Sequence, residues 1–331
     1  MGPRFRGDDE GGEVAVYTQV SAEALADFLA RFDMGELVSA KGIAEGVENS
    51  NYLVDTTKSR FILTLYEKRV SADDLPFFLA LLDHLADRGL PVPPAVPDRT
   101  GRTIHEIEGR PACLIQFLSG VSVSHPTPKQ ACAAGAAMGR MHEALRDFAL
   151  ERPNSLGPDD WRPLFERCGR EMDAIRPGLY DHVDKALDKL LVSWPRDLPR
   201  AAIHADLFPD NVLMLGDRIT GLIDFYFACT EVRAYDLAVM HGAWAFDAAG
   251  AQYDAGVGQA LVEGYAANFE LLPDERAALP VLAEGAAIRF FLTRMWDWLN
   301  TPADALVTRK DPLAYLRRLD FYAEHGAAIF A

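Results

Sequence analysis

The feature that most limits the fold of this 331-residue chain is a change of pattern near residue 118. Before it, short runs of strand composition dominate. Residues 51–56 and 60–67 predict two strands around the turn Thr57-Lys58-Ser59, and residues 103–107 and 112–117 two more around Glu108-Gly109-Arg110. Residues 37–41 predict a further short strand. Two helices interrupt them. One is capped by Ser21 and carries Leu25, Phe28, Leu29 and Phe32 on one face. The other covers residues 73–87, with Leu75, Phe78, Leu79, Leu82 and Leu85 at helical spacing, and stops at Gly89 before Pro91.

After Leu118-Ser119-Gly120 the 3.6-residue period takes over. Helices are predicted over residues 128–145, 164–175, 180–194, 235–246, 256–269, 273–299 with a break near Pro280, and 312–325. Only a small strand set interrupts them, at residues 201–203, 212–215 and 219–223. The reading is an α+β chain in two lobes. A sheet-rich N-terminal lobe spans residues 14–118, a hinge lies at 116–120, and a larger helical lobe spans 119–331. Residues 1–13, Gly-rich and charged, are set aside as a disordered tail or start-site artefact with no secretory character. Two lobes leave a cleft, where small-molecule sites tend to lie.

Charge narrows the function. With 33 Lys and Arg against 49 Asp and Glu, the net charge is −16. Nucleic acids and anionic membrane surfaces are therefore poor partners, while a nucleotide held by backbone N–H groups and a metal ion is not excluded. Cys113, Cys132, Cys168 and Cys229 are scattered, with no metal-binding spacing. They predict reduced, mostly buried thiols in a cytoplasmic protein. No apolar run is long enough for a transmembrane helix.

The chemistry concentrates in Ile203-His204-Ala205-Asp206-Leu207-Phe208-Pro209-Asp210-Asn211-Val212-Leu213, followed by Asp224 at the end of an apolar strand. Phosphoryl transfer to an alcohol needs a carboxylate to orient the hydroxyl and take its proton. It also needs oxygen ligands, of the kind Asp and Asn supply, for magnesium. Asp206, Asn211 and Asp224 provide both sets.

H-x-D-x-x-x-x-N followed by I-D-F resembles the signature of the aminoglycoside-phosphotransferase and choline-kinase-like group, which has a protein-kinase-like fold. Ala205 stands where protein kinases carry Arg, and Tyr226 where they carry the Gly of D-F-G. The resemblance implies Asp206 as catalytic base, Asn211 and Asp224 as Mg2+ ligands, and ATP as phosphoryl donor. It implies structural roles for His204, for Asp236 in Tyr235-Asp236-Leu237-Ala238, and for His142 in Gly139-Arg140-Met141-His142. The hinge position implies adenine contacts from the backbone of Gln116 and Leu118. The segment from Lys41 to Tyr52 lies where the group covers the phosphates, which makes Gly46, Asn49, Ser50 and Asn51 nucleotide candidates.

The chain departs from the group at one pair. Thr64 occupies the usual cation position in the strand, and Phe78 falls where the partner Glu of the following helix is usual. Losing both together avoids an uncompensated charge. Lys68, on the same strand face as Thr64, is the candidate replacement, with Lys41 as the alternative.

The segments G-V-E-N-S-N-Y-L-V-D-T, F-I-L-T-L-Y-E-K-R, L-P-V-P-P-A-V-P-D and L-I-D-F-Y-F-A-C-T are similar to the homoserine kinases built on this fold, over nearly the whole chain. That implies phosphorylation of L-homoserine to O-phospho-L-homoserine in threonine synthesis. Such a substrate needs a cation for its carboxylate and an acid for its ammonium. Arg289 and Arg294 are the candidates for the first, and Asp206, Asp210 and Glu231 for the second. Competing readings are a kinase of the same fold acting on choline, ethanolamine, an aminoglycoside or methylthioribose, and a nucleotide-binding regulator without catalysis.

Overall fold

In a computed structural model of the protein, residues 18–43, 49–67, 71–301 and 309–331 are described. The chain divides into two compact units. Of the described residues, the first holds those up to residue 72 and 95–117, and the second holds 73–94, 118–301 and 309–331.

In the first unit, helix α1 (Ala22–Leu29) begins as its cap requires, with Ser21 Oγ accepting from the Ala24 N–H at 3.1 Å. Strands β1 (Leu37–Ile43), β2 (Asn49–Thr56), β3 (Arg60–Tyr66), β4 (His105–Ile107) and β5 (Arg110–Gln116) form one antiparallel sheet in the order β1-β2-β3-β5-β4. The β2–β3 register pairs Asn51 with Thr64 and Val54 with Phe61. Tyr52, Val54, Leu63, Leu65 and Leu114 bury one face of the sheet with Leu25, Phe28 and Phe32. A core of this kind is stabilised by the apolar area it removes from water.

In the second unit, α2 (Leu75–Asp87) is followed by α3 (Pro128–Ala144), α4 (Pro158–Cys168), α5 (Leu179–Ser193), α6 (Arg233–Trp244), α7 (Ala255–Ala266), α8 (Pro273–Asn300) and α9 (Leu313–Ile329). Thr127 and Gln130 close a capping box at the start of α3. Helices α3 and α7 approach at backbone distance. A Cβ added at Gly264 would lie 2.1 Å from the Cys132 carbonyl oxygen, and one at Gly135 2.1 Å from that of Leu261.

Two short antiparallel sheets sit among these helices. One pairs β6 (Arg200–Ile203) with β9 (Cys229–Val232), and the other pairs β7 (Val212–Leu215) with β8 (Arg218–Leu222). They bracket the segment that carries the chemistry.

Three expectations are corrected. Strand β9 had no counterpart in the pattern, since four residues with one charge carry no readable period. The helix expected at 164–175 starts earlier, at Pro158 in its first turn, and gives way to a 3-10 turn over Gly169–Ala174. The break expected near Pro280 does not occur, and α8 runs through it. The missing N–H leaves only the carbonyl of Arg276, an exposed residue, without its helical donor. The ring packs where Gly326 of α9 makes room, with its Cβ 3.2 Å from the point a Gly326 Cβ would occupy.

Among the described residues, no helix is long and apolar enough to cross a membrane. Cys113, Cys168 and Cys229 are buried, with burial pushing each thiol up to about 12, and Cys132 is exposed.

Candidate active site

Strand β6 ends at Ile203 and delivers the chain into a loop with unusual backbone. Ala205 has φ +62°, in the left-handed region that costs a non-glycine residue about 1 kcal/mol. Two side chains hold it there. The carboxylate of Asp236, in the first turn of α6, accepts from the N–H of His204 at 2.9 Å and from that of Ala205 at 2.7 Å. The Arg289 guanidinium donates to the Ala205 carbonyl.

Asp236 is fully buried. Burial alone would raise its pKa. The hydrogen bond and charge of His142, with the His204 contacts, outweigh it and hold the carboxyl below its ordinary value. His142 bridges Asp236 at 3.1 Å and the Tyr265 hydroxyl at 2.8 Å. His204 accepts at Nδ1 from the Asp206 N–H, 3.2 Å, so its proton sits on Nε2, which donates to the Ile223 carbonyl at 3.0 Å. Burial keeps this imidazole neutral by lowering its pKa.

Asp206 emerges half-buried from this scaffold. The loop then closes on itself. Asn211, at the end of the 3-10 turn Pro209–Asn211, donates from Nδ2 to the Asp206 carbonyl at 2.7 Å, which leaves its Oδ1 as the amide's acceptor. Its backbone carbonyl accepts from the Ile223 N–H at 3.0 Å. The indole of Trp244 donates to the Leu207 carbonyl at 3.0 Å. Asp224, next after Ile223, is exposed and again left-handed, with φ 65° and ψ 59°. Phe225 behind it is buried, 4.4 Å from the His204 ring between centroids.

One hydrogen-bonded assembly therefore joins Asp206, Asn211 and the strand end carrying Asp224, while His204, Asp236 and His142 form its support. The main-chain fold of a solved spectinomycin phosphotransferase in complex with ADP and spectinomycin superposes on this chain with a TM-score of 0.70 at 14% identity, covering 94% of this chain and all of that one. A microcompartment-associated aminopropanol kinase gives a TM-score of 0.66 at 17% identity over 94% of this chain and 99% of its own. Residues 39–280, which contain the whole assembly, match the model of a phosphotransferase enzyme family. The chain belongs to that family. Among curated members it is 53% identical to a homoserine kinase of Nitrobacter winogradskyi, over 95% of this chain and 96% of the relative. It is 54% identical to one of Zymomonas mobilis, over 94% and 98%.

The remaining candidates of this phosphotransferase fall in different places. Asp210 is exposed in the loop's 3-10 turn. Glu231, on β9, is buried with its carboxylate committed to Arg200 at 3.1 Å, to Asn154 at 3.2 Å and to the Val232 N–H at 2.7 Å. Arg289 is buried beneath the loop, its guanidinium over the rings of Phe290 and Phe227 at 4.4 and 5.5 Å. Arg294 is half-buried over the ring of Tyr315, at 4.5 Å. Burial lowers its pKa, and the charges of Asp311 and Asp206 oppose that shift.

In the first unit, Asn51 accepts from the Thr64 hydroxyl at 2.8 Å, so a neutral hydrogen bond occupies the strand position where the group usually has its cation. Ser50 is fully buried and donates to Glu67 at 2.8 Å, while Asn49 accepts from the Glu67 N–H at 3.4 Å. Arg110 completes that cluster, 3.3 Å from the Glu67 carboxylate. Gln116 is exposed at the end of β5. Leu118 begins the second unit, against Gly221 of β8. Gly46 and Lys68 lie outside the described residues.

Sequence reasoning passed over Tyr315 and Arg152. Among the described residues the buried Tyr315 hydroxyl has no hydrogen-bond partner, and its ring lies beside Phe208 and Phe290. Both residues act across large sequence separations, and neither sits in a motif.

Proposed function

We propose that this phosphotransferase is an ATP-dependent homoserine kinase, forming O-phospho-L-homoserine and ADP for threonine synthesis. The observation that carries the reading is the joining of Asp206, Asn211 and the Asp224 strand end by hydrogen bonds from Asn211 and Ile223. Identity above one half to homoserine kinases over nearly full length supports the choice of acceptor.

Asp206 orients the homoserine hydroxyl and takes its proton as the oxygen bonds to the γ-phosphorus of ATP and the bond to the ADP oxygen breaks. Asn211 Oδ1 and the Asp224 carboxylate are the oxygen donors that would hold Mg2+. Among the described residues no group of three or more His, Cys, Asp or Glu is placed to hold a metal. Two protein ligands and the nucleotide's own phosphates are nonetheless the usual way such an ion is bound. When bound, the ion neutralises charge on the transferring phosphoryl group.

Arg294 is the better placed of the two arginines for the substrate carboxylate, since Arg289 is spent on Ala205. Asp210 is the open candidate for the ammonium. Buried thiols in this chain suit a reducing, cytoplasmic compartment.

The test is ADP release from Mg-ATP with L-homoserine, choline, ethanolamine, kanamycin and methylthioribose, using wild type and Asp206→Asn. Turnover of homoserine alone, lost in Asp206→Asn, supports the reading. Turnover of another acceptor keeps the reaction and removes homoserine as its substrate.

A further inference from the structure

The Lys–Glu ion pair usual in this fold has no counterpart at Thr64 and Phe78, and the second unit contains a different device next to Asp224. Phe78, on α2, is 1% exposed and meets the ring of Tyr226 edge-on, with centroids 5.8 Å apart and planes at 89°. Tyr226 follows Asp224 by two residues, in the 3-10 turn Phe225–Phe227.

Arg152 lies over the ring of Phe78, its guanidinium carbon 4.9 Å from the centroid. Its Nη2 is 2.8 Å from the carboxylate of Asp74, the residue before α2. Its Nη1 donates to the carbonyl of Ala228, which ends the turn, at 3.1 Å. The backbone of Arg152 is fixed as well, exchanging bonds with Thr230: the Thr230 N–H donates to the Arg152 carbonyl at 2.6 Å, and the Arg152 N–H to the Thr230 hydroxyl at 3.1 Å.

We propose that Phe78, Tyr226 and Arg152 form a positioning clamp that ties α2 to the turn after Asp224 and holds Asp224 in its left-handed, metal-binding conformation. This rests on the reading of Asp224 as a magnesium ligand. The physical need is clear from the backbone. Asp224 at φ 65° is disfavoured for a residue with a Cβ, and such a conformation persists only when its surroundings over-determine it. The strand before it is held by Asn211 and His204. The turn after it is held by its own Ala228-to-Phe225 bond at 2.9 Å and by this clamp. An aromatic pair and a half-buried arginine that bridges Asp74 and the Ala228 carbonyl, both directional, couple the helix to the metal site.

The test is Mn2+ binding to the complex with a non-hydrolysable ATP analogue, followed by electron paramagnetic resonance, with wild type, Phe78→Leu, Tyr226→Leu, the double variant, Arg152→Met and Asp224→Asn. Phe78→Leu keeps an apolar side chain and loses the edge-on ring contact. Each clamp variant is expected to weaken Mn2+ binding roughly 3- to 10-fold, the range of one aromatic pair. The double variant should lose less than the product of the singles. Nucleotide affinity without metal should stay unchanged, which a merely folding defect would not give. Unchanged Mn2+ affinity in Phe78→Leu and Arg152→Met, with Asp224→Asn defective, overturns the clamp alone. Unchanged affinity in Asp224→Asn overturns the metal reading beneath it. Should Phe78→Leu fold poorly, Arg152→Met decides, since it tests the clamp from the other side.

Discussion

The two oxygens of Asp236 accept from consecutive backbone N–H groups, those of His204 and Ala205, at 2.9 and 2.7 Å. A single carboxylate on α6 thus sets the backbone angle from which Asp206 projects. An asparagine in its place can accept at one atom only, and its amide would face an N–H. Asp236→Asn is expected to lose about 3 kcal/mol of stability, as for breaking a buried charged network, and to lower kcat more than it raises either KM. Urea unfolding and steady-state kinetics check this. A kcat within twofold of wild type would show that the loop holds its shape without the carboxylate.

The arginines five apart on α8 predict opposite phenotypes. Arg289 is 3% exposed and bonded to the Ala205 carbonyl. Arg289→Met is expected to lower stability by about 2 kcal/mol, the scale of a lost hydrogen bond from a charged group, and to lower kcat with little change in the KM for homoserine. Arg294→Met should leave the melting temperature nearly unchanged and raise that KM about 10- to 100-fold. If Arg294→Met leaves the KM alone, the substrate carboxylate is met elsewhere.

Much of this arrangement was legible because it is local. Asp206, Asn211 and Asp224 are linked through short spacings and a strand end, so composition and order suffice. The strands of the first sheet have strand composition bounded by turn residues, and appear within one or two residues of their predicted ends. What depends on distant partners was not legible. Arg289 and Arg294 have the same chemistry and lie on the same helix, and only the positions of Ala205 and Tyr315 separate them. Phe78 could be placed at the usual glutamate position, but nothing in the sequence says that it meets Tyr226 or carries Arg152 on its face. Strand β9 exists because β6 offers an edge, a tertiary cause that four residues cannot announce.

The contact of α3 with α7 gives a prediction independent of the chemistry. At Gly264 an added Cβ would lie 2.1 Å from the Cys132 carbonyl oxygen, backbone against backbone, so the helices must separate. Gly264→Ala is expected to destabilise the protein by about 3 kcal/mol or more, lowering the melting temperature by roughly 6–12 °C. Activity measured well below the transition should be close to wild type. A melting temperature within 2 °C of wild type, on the same scale, would contradict the tight approach.

Two buried histidines make stability depend on pH in a direction that follows from their surroundings. His204 and His241 are each 1% exposed or less, and burial lowers the pKa of both, that of His241 to about 3. Asp236 favours protonation of His204 but does not overcome burial. His241 is bonded to the Tyr322 hydroxyl at 2.6 Å and surrounded by the rings of Tyr253, Tyr322 and Phe330. In the unfolded chain both titrate near 6.5. Above that pH neither state binds the proton and stability is full. Below it the unfolded chain takes up protons that the folded one refuses, so stability falls as pH falls toward the folded values. From pH 7.5 to 5.0 His241 alone should cost about 2 kcal/mol, and His204 acts in the same direction. His241→Asn removes that site, so its loss over the same interval should be smaller by about 2 kcal/mol, whatever its stability at pH 7.5. Urea unfolding at several pH values measures both slopes. Equal slopes in wild type and His241→Asn would mean that His241 takes up its proton in the folded protein as readily as in the unfolded chain.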